Sequence, residues 1–184
     1  MFIGRSEELG LLEKLYAKNS LNVVLVSGEY KIGKTALLQE FLQKKSAAYF
    51  AARNALSTVN LAAFCLELKE QGFWGPQNEF RSWDSVLSTL FFKATQQRLV
   101  LVIDDVQYLF DSAPRFFSAF AKYAQKYKKQ LRLLVIFAGA PFVDIERVLL
   151  KNQDIQIKNY ITAVIKLGPM DYWEAQPFLE GFTE

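Results

Sequence analysis

The chain has 184 residues, with 22 Lys and Arg against 19 Asp and Glu, one cysteine and no histidine. The missing imidazole excludes a Ser-His-Asp hydrolase, a His-containing metal site and His-based acid/base catalysis within one chain. The lone thiol, Cys65, cannot pair internally and points to a reducing, cytoplasmic setting, while 51% apolar residues, 27 aromatics among them, supply one large core and argue against disorder.

In chain order, Ser6 suits the N-cap of a helix over Glu7–Asn19, with Glu7 and Glu8 in the first turn where the helix dipole favours acids. The apolar run Asn22–Ser27 reads as a buried strand, and Leu37, Leu38, Phe41 and Leu42 give Lys34–Lys45 a helical face. Ala47–Ala52 is the second strand, followed by helices over Thr58–Gln71 and Trp83–Gln97 on either side of a loop at Gly72–Arg81. Leu99–Ile103 is the third strand. Pro114 takes the favoured first position of a helix over Pro114–Lys129, with Phe116, Phe117, Phe120, Ala124 and Tyr127 inward. Leu131–Ala138 and Thr162–Leu167 complete five strands, and after the break at Gly168-Pro169 a further helix begins to pattern over Asp171–Glu184. We therefore expect a core over residues 1–170, with residues 171–184 opening a segment of a longer protein.

Strands alternating with helices predict an α/β domain with a parallel sheet. The strands lack polar alternation, as expected when helices cover both faces. The longest apolar run, Leu133–Ala140, is far below the roughly 20 residues that span a bilayer, and Met1–Arg5 does not read as a charged leader, so no membrane partner is expected. A net charge of +3 does not imply nucleic acid; Lys122, Lys126, Lys128, Lys129 and Arg132 read as the solvated end of an amphipathic helix.

Directly after the first strand, Gly28-Glu29-Tyr30-Lys31-Ile32-Gly33-Lys34-Thr35 fits G-x-x-x-x-G-K-[ST] between a buried strand and an amphipathic helix. Gly28 and Gly33 let the backbone turn so that successive N–H groups point inward at a polyphosphate, to which the following helix adds its positive end. Lys34 can then neutralise the β- and γ-phosphates, and the Thr35 hydroxyl can ligate Mg²⁺. A phosphate loop of this kind needs an acid on a neighbouring strand, and Asp104 ends the third apolar run. Asp105 is the candidate to polarise an attacking water. Gln107 can orient water or touch a phosphate, or be a surface amide of a loop.

With these elements in place, the chain resembles the archaeal-type ATPases of the STAND/AAA-related P-loop group. Phe2-Ile3-Gly4-Arg5-Ser6-Glu7-Glu8-Leu9 is similar to the group's F-x-G-R-x-x-E-L opening, Ile103-Asp104-Asp105-Val106-Gln107-Tyr108-Leu109 to its D-E-x-Q-x-L segment, and Leu167-Gly168-Pro169-Met170 with Glu174-Ala175 to its L-x-P-[LFM]…E-A strand exit. The resemblance implies a three-layer α/β/α P-loop domain with a mostly parallel five-stranded sheet and the nucleotide at the strands' carboxyl edge. It implies ATP or ADP with Mg²⁺ as cofactors, Gly4, Arg5 and Pro169 beside the adenine, and a helical lid opening at residues 171–184. Segments beyond that lid would meet a protein partner or DNA. Without the resemblance, Gly4-Arg5 reads as a helix lead-in with a surface Arg.

Three departures from the group's pattern predict slow hydrolysis. Asp105 stands where the group often has Glu, one methylene longer, and a misplacement near 1 Å can cost about a hundredfold in rate. The fourth strand ends Phe137-Ala138-Gly139-Ala140, without a polar sensor, and Lys158-Asn159-Tyr160 stand where the group commonly carries Tyr-Gly-Arg. Arg132 and Arg147 are the substitutes by location for an arginine finger. The alternative is a nucleotide-gated switch with negligible turnover. A GTPase lacks support because Lys151-Asn152-Gln153-Asp154 is not N-K-x-D, and a small-molecule kinase because there is no Arg-rich lid.

Overall fold

The computed structural model describes residues 3–139, 141, 145, 156–170 and 175–176. The expected lid at residues 171–184 and Arg147 thus lie almost wholly outside the described residues. The elements run α1 (Ser6–Ala17), β1 (Asn22–Gly28), α2 (Lys34–Leu42), β2 (Ala47–Ala51), α3 (Ser57–Glu70), α4 (Trp83–Gln96), β3 (Leu99–Asp104), α5 (Gln107–Ser112), α6 (Pro114–Lys126), β4 (Leu133–Gly139), a 3₁₀ turn (Gln156–Tyr160) and β5 (Ile161–Leu167). The five strands form one sheet in the order β2-β3-β4-β1-β5, and every pairing is parallel.

Alternation along each strand sends its side chains into two cores. Val23, Leu25, Leu101, Ile103, Val135 and Phe137 face α3, α4, α5 and α6. Val24, Val26, Val100, Val102, Leu134 and Ile136 face Leu12 and Leu15 of α1 and Leu37, Leu38 and Phe41 of α2. The sandwich is therefore three-layer α/β/α, as expected. Its first core is unusually aromatic: Phe116 meets Trp83 edge-on with centroids 5.2 Å apart, Phe91 meets Phe120 at 5.2 Å, and Phe50 meets Phe64 at 5.3 Å.

Several boundaries move for local reasons. The helix expected to reach Lys45 stops at Leu42, because Lys44 takes a left-handed φ of 62°. Lys45 Nζ then donates to the Phe41 carbonyl (2.7 Å) and pairs with Glu13 (2.8 Å). The helix expected to reach Lys129 stops at Lys126, and β4 starts at Leu133 because Leu131 N and Arg132 N donate to Tyr127 and Ala94 instead of to a strand. The six-residue α5 was not expected, being too short to show a helical period. At the free edge of the sheet, the Gln71 amide clamps Tyr49, accepting from its N–H at 2.8 Å and donating to its C=O at 2.7 Å. This blunts a strand that could otherwise pair with another chain. Cys65 is half-buried, and burial pushes its thiol up to about 11, which keeps it protonated and unreactive at neutral pH.

Candidate nucleotide site

β1 delivers the chain to Gly28 at the carboxyl edge of the sheet. A Cβ at Gly28 would lie 2.8 Å from the Leu167 carbonyl oxygen and 2.9 Å from Ile32 Cγ2, so only glycine lets β1, β5 and the loop meet this closely. The loop turns through left-handed backbone at Lys31 (φ 63°) and Gly33 (φ 97°), the latter unstrained for lack of a Cβ. It borders a cavity of about 340 Å³ lined by Tyr30, Lys31, Gly33, Lys34, Thr35, Ala36, Asp104 and Asp105. No side chain caps α2, so its first N–H groups keep their donors for an anion at this end of the helix. Lys34 Nζ donates to the Gly28 and Glu29 carbonyls, both at 2.9 Å. Glu29 and Ile32 close the loop with an N–H···O contact of 3.3 Å between Ile32 N and Glu29 O.

Opposite the loop, Asp104 ends β3 and is 5% exposed. Its Oδ2 accepts from Thr35 Oγ1 at 3.0 Å and from the Tyr49 hydroxyl at 2.7 Å, while Oδ1 accepts from the Asp105 N–H at 2.9 Å. Burial, followed by the hydrogen bond to Asp104 and that carboxylate's charge, raises the Tyr49 pKa above its ordinary phenol value. Its hydroxyl therefore stays a donor across the working pH range. Tyr49 is the residue that sequence reasoning missed. The signal exists only in the register, where Ala51 pairs with Asp104 and Tyr49 with Val102, so the ring reaches diagonally across to the carboxylate. Tyr49→Phe should lower stability by about 1.5–3 kcal/mol, the worth of a hydrogen bond to a charged group. Urea denaturation of the two proteins checks this; an unchanged midpoint would mean that Tyr49 does not hold Asp104.

Asp105 sits at φ 51°, a left-handed backbone that Asp tolerates better than most residues. Its Oδ1 accepts from Gln107 Nε2 at 3.1 Å. Gln107 opens α5 rather than lying on a loop, and its amide oxygen occupies the space that a Cβ on Gly139 would need. A side chain at the end of β4 would have to displace this flexible amide from the place where it meets Asp105.

Arg5 is only 5% exposed, which overturns its reading as a surface side chain. It donates to the Gly168 carbonyl at 2.6 Å and to Ile32 O at 3.4 Å, and pairs with Glu8 at 3.3 Å. It braces the start of α1 against the phosphate loop and the β5 exit, beside Gly4 and Pro169. Arg132, by contrast, precedes β4, a strand of seven residues at about 3.3 Å each. It lies at the opposite edge of the sheet and is removed as a finger within this chain.

Among the described residues no three carboxyl or thiol groups converge as a metal cage. The Thr35 hydroxyl and Asp104 carboxylate nevertheless form a hard oxygen pair at the cavity wall, which fits Mg²⁺, a cation that takes few protein ligands and completes its shell with water and phosphate.

A left-handed loop between strand and helix, with a Lys directed at its carbonyls and a Thr meeting the acid of another strand, defines a P-loop nucleotide-binding domain. The chain belongs to a particular family of them, the ATPase domain predominantly from Archaea, whose pattern matches residues 2–181. An uncharacterized ATP-binding protein of Methanocaldococcus jannaschii is 40% identical over 45 residues, which are 24% of this chain and 76% of that protein. Among solved structures, a Walker-type ATPase of Pyrococcus abyssi superposes with a TM-score of 0.72 at 18% identity, covering 98% of this chain and 57% of that one. The ORC2 protein of Aeropyrum pernix, in ADPNP–ADP complexes, gives 0.73 at 16% identity, covering 96% and 50%. Cdc6p of Pyrobaculum aerophilum gives 0.69 at 19%, covering 96% and 48%. At these identities the likeness is one of fold, and the chain spans about half the length of these structures.

Proposed function

We propose that the protein binds ATP or ADP with Mg²⁺ at the Gly28–Thr35 loop and hydrolyses the β–γ bond slowly. The observation that carries this reading is the contact between Thr35 and Asp104 across the mouth of that loop. The loop amides and Lys34 would hold the phosphates, Lys34 exchanging the Gly28 and Glu29 carbonyls for phosphate oxygens. Thr35 and Asp104 would hold Mg²⁺, which when bound supplies charge neutralisation at the phosphates. Asp105, steadied by Gln107, would orient the attacking water, and Gly4, Arg5 and Pro169 would flank the base. The lone, inert thiol supports a cytoplasmic setting, and no described helix is long and apolar enough to cross a membrane. Segments outside the core would add contacts to DNA or a protein partner.

One observation favours the switch reading: the Asp105 carboxylate is both short and already engaged by Gln107. A turnover assay of Asp105→Glu against the parent protein separates the two. The longer side chain regains about 1 Å of reach, so turnover should rise by tens of fold, while the left-handed backbone should cost about 1 kcal/mol. No turnover in either protein despite micromolar ADP binding would establish the switch. Absence of ATP and ADP binding would sink both readings, and preference for GTP in a nucleotide panel would overturn the adenine assignment.

A further inference from the structure

We infer that the amino edge of the sheet, opposite the phosphate loop, is a docking surface for a nucleic-acid phosphate backbone. In an all-parallel sheet every segment leading into a strand lies on the same edge. Here those segments are residues 18–21, 43–46, 97–98, 127–132 and 156–160. They carry Lys18, Lys44, Lys45, Arg98, Lys128, Lys129, Arg132 and Lys158, and no Asp or Glu. At the average of 22 basic and 19 acidic residues in 184, these 21 residues would hold about two or three of the first and two of the second. The bias is invisible along the chain because the five segments are scattered over 143 residues; only the topology gathers them.

Two of the eight cations are spent within the fold. Lys45 pairs with Glu13, and Arg98 is half-buried and donates to the Ser20 and Leu15 carbonyls. The other six, Lys18, Lys44, Lys128, Lys129, Arg132 and Lys158, are exposed and take part in no ion pair among the described residues. The strand order sets their sequence along the edge: Lys44, then Lys128, Lys129 and Arg132, then Lys18, then Lys158. At about 4.8 Å between strands the row is about 19 Å long, which matches five or six base steps of a duplex. Near its middle lies a polar cleft of about 370 Å³, in which the side chains of Asn19, Thr95, Gln96 and Gln130 accompany Lys129 and Arg132. Amide and hydroxyl donors beside cations are the groups that hold phosphate oxygens.

Chemistry decides between a polyanion and an acidic protein. A stable protein interface is anchored by buried aromatic and apolar groups and is depleted in Lys. Among the described residues the exposed large apolar side chains, Leu11, Tyr30, Leu56, Val59, Leu66, Phe92, Tyr108 and Val164, all lie outside the five segments. A Lys-rich row without an apolar anchor binds charge, and binds it without reading sequence.

The test is fluorescence anisotropy of a labelled 20-base-pair duplex of mixed sequence, titrated with the full chain between about 50 and 200 mM salt. With six phosphate contacts the slope of log K against log salt should be near −5, a loss of about a thousandfold over that range. Lys128→Gln/Lys129→Gln/Arg132→Gln should bring the slope near −3 and weaken binding at least a hundredfold at low salt. Arg53→Gln/Arg81→Gln/Lys122→Gln, which removes the same net charge elsewhere, should leave both unchanged. No duplex binding at 50 mM salt, or equal loss in the two triple variants, overturns the inference. So does polyglutamate competing as well as unlabelled duplex, which would assign the edge to an acidic protein segment. Nucleotide affinity, measured in parallel, should be the same in all three proteins; its failure would strike the nucleotide reading and leave this one standing.

Discussion

Lys34→Ala is expected to weaken ATP binding by about a hundredfold or more. The ammonium donates to the Gly28 and Glu29 carbonyls, both at 2.9 Å, so it is held at the mouth of the cavity with its charge available to an incoming phosphate. Each charge-assisted hydrogen bond to an anion contributes about 1.5–3 kcal/mol, and two of them amount to two decades or more of affinity at about 1.4 kcal/mol per decade. The fold should hardly respond, because the ammonium bonds to loop carbonyls and supports neither core. Calorimetric titration with ATP, alongside a thermal melt, checks both halves. Binding within threefold of the parent protein would remove Lys34 from the site.

The second large effect belongs to the core. Phe116→Ala should destabilise the protein by about 3–5 kcal/mol, which for a chain of this size lowers Tm by about 6–20 °C. Phe116 is fully buried and touches Trp83, Phe117 and Phe137 with ring centroids 5.2, 5.1 and 6.4 Å away. Rings locked edge-to-face on several sides cannot collapse into the space left by an absent one, so most of the cavity penalty survives. The same layer carries α5 and α6 beneath Asp105 and Gln107, and nucleotide affinity should fall together with stability. A drop below about 1 kcal/mol in a denaturant series would show that the aromatic layer repacks.

Much of this was legible in the chain itself. The glycines of the phosphate loop are spaced by backbone geometry within eight consecutive residues, and the acid of β3 stands where an apolar run stops; both are local facts. Buried parallel strands are likewise written as short apolar runs, because both of their faces are covered. Helix ends were less legible: a single left-handed residue, Lys44, stops α2, and nothing in the apolar period announces it. Read without the resemblance, Arg5 passes for a surface side chain, yet its guanidinium finds partners at Gly168 and Ile32, remote in sequence, and so becomes buried.

The amino-acid sequence by itself determined the class of fold, the phosphate loop and the acid opposite it, since each depends on residues that are neighbours in the chain. Only the tertiary structure decided that Tyr49 holds Asp104, that Gln107 fills the space over Gly139, that Arg5 is a brace and that scattered lysines share one edge. Those relations join residues tens to more than a hundred positions apart. Strand order and register set them, and both are selected by packing the two cores, which no local pattern encodes.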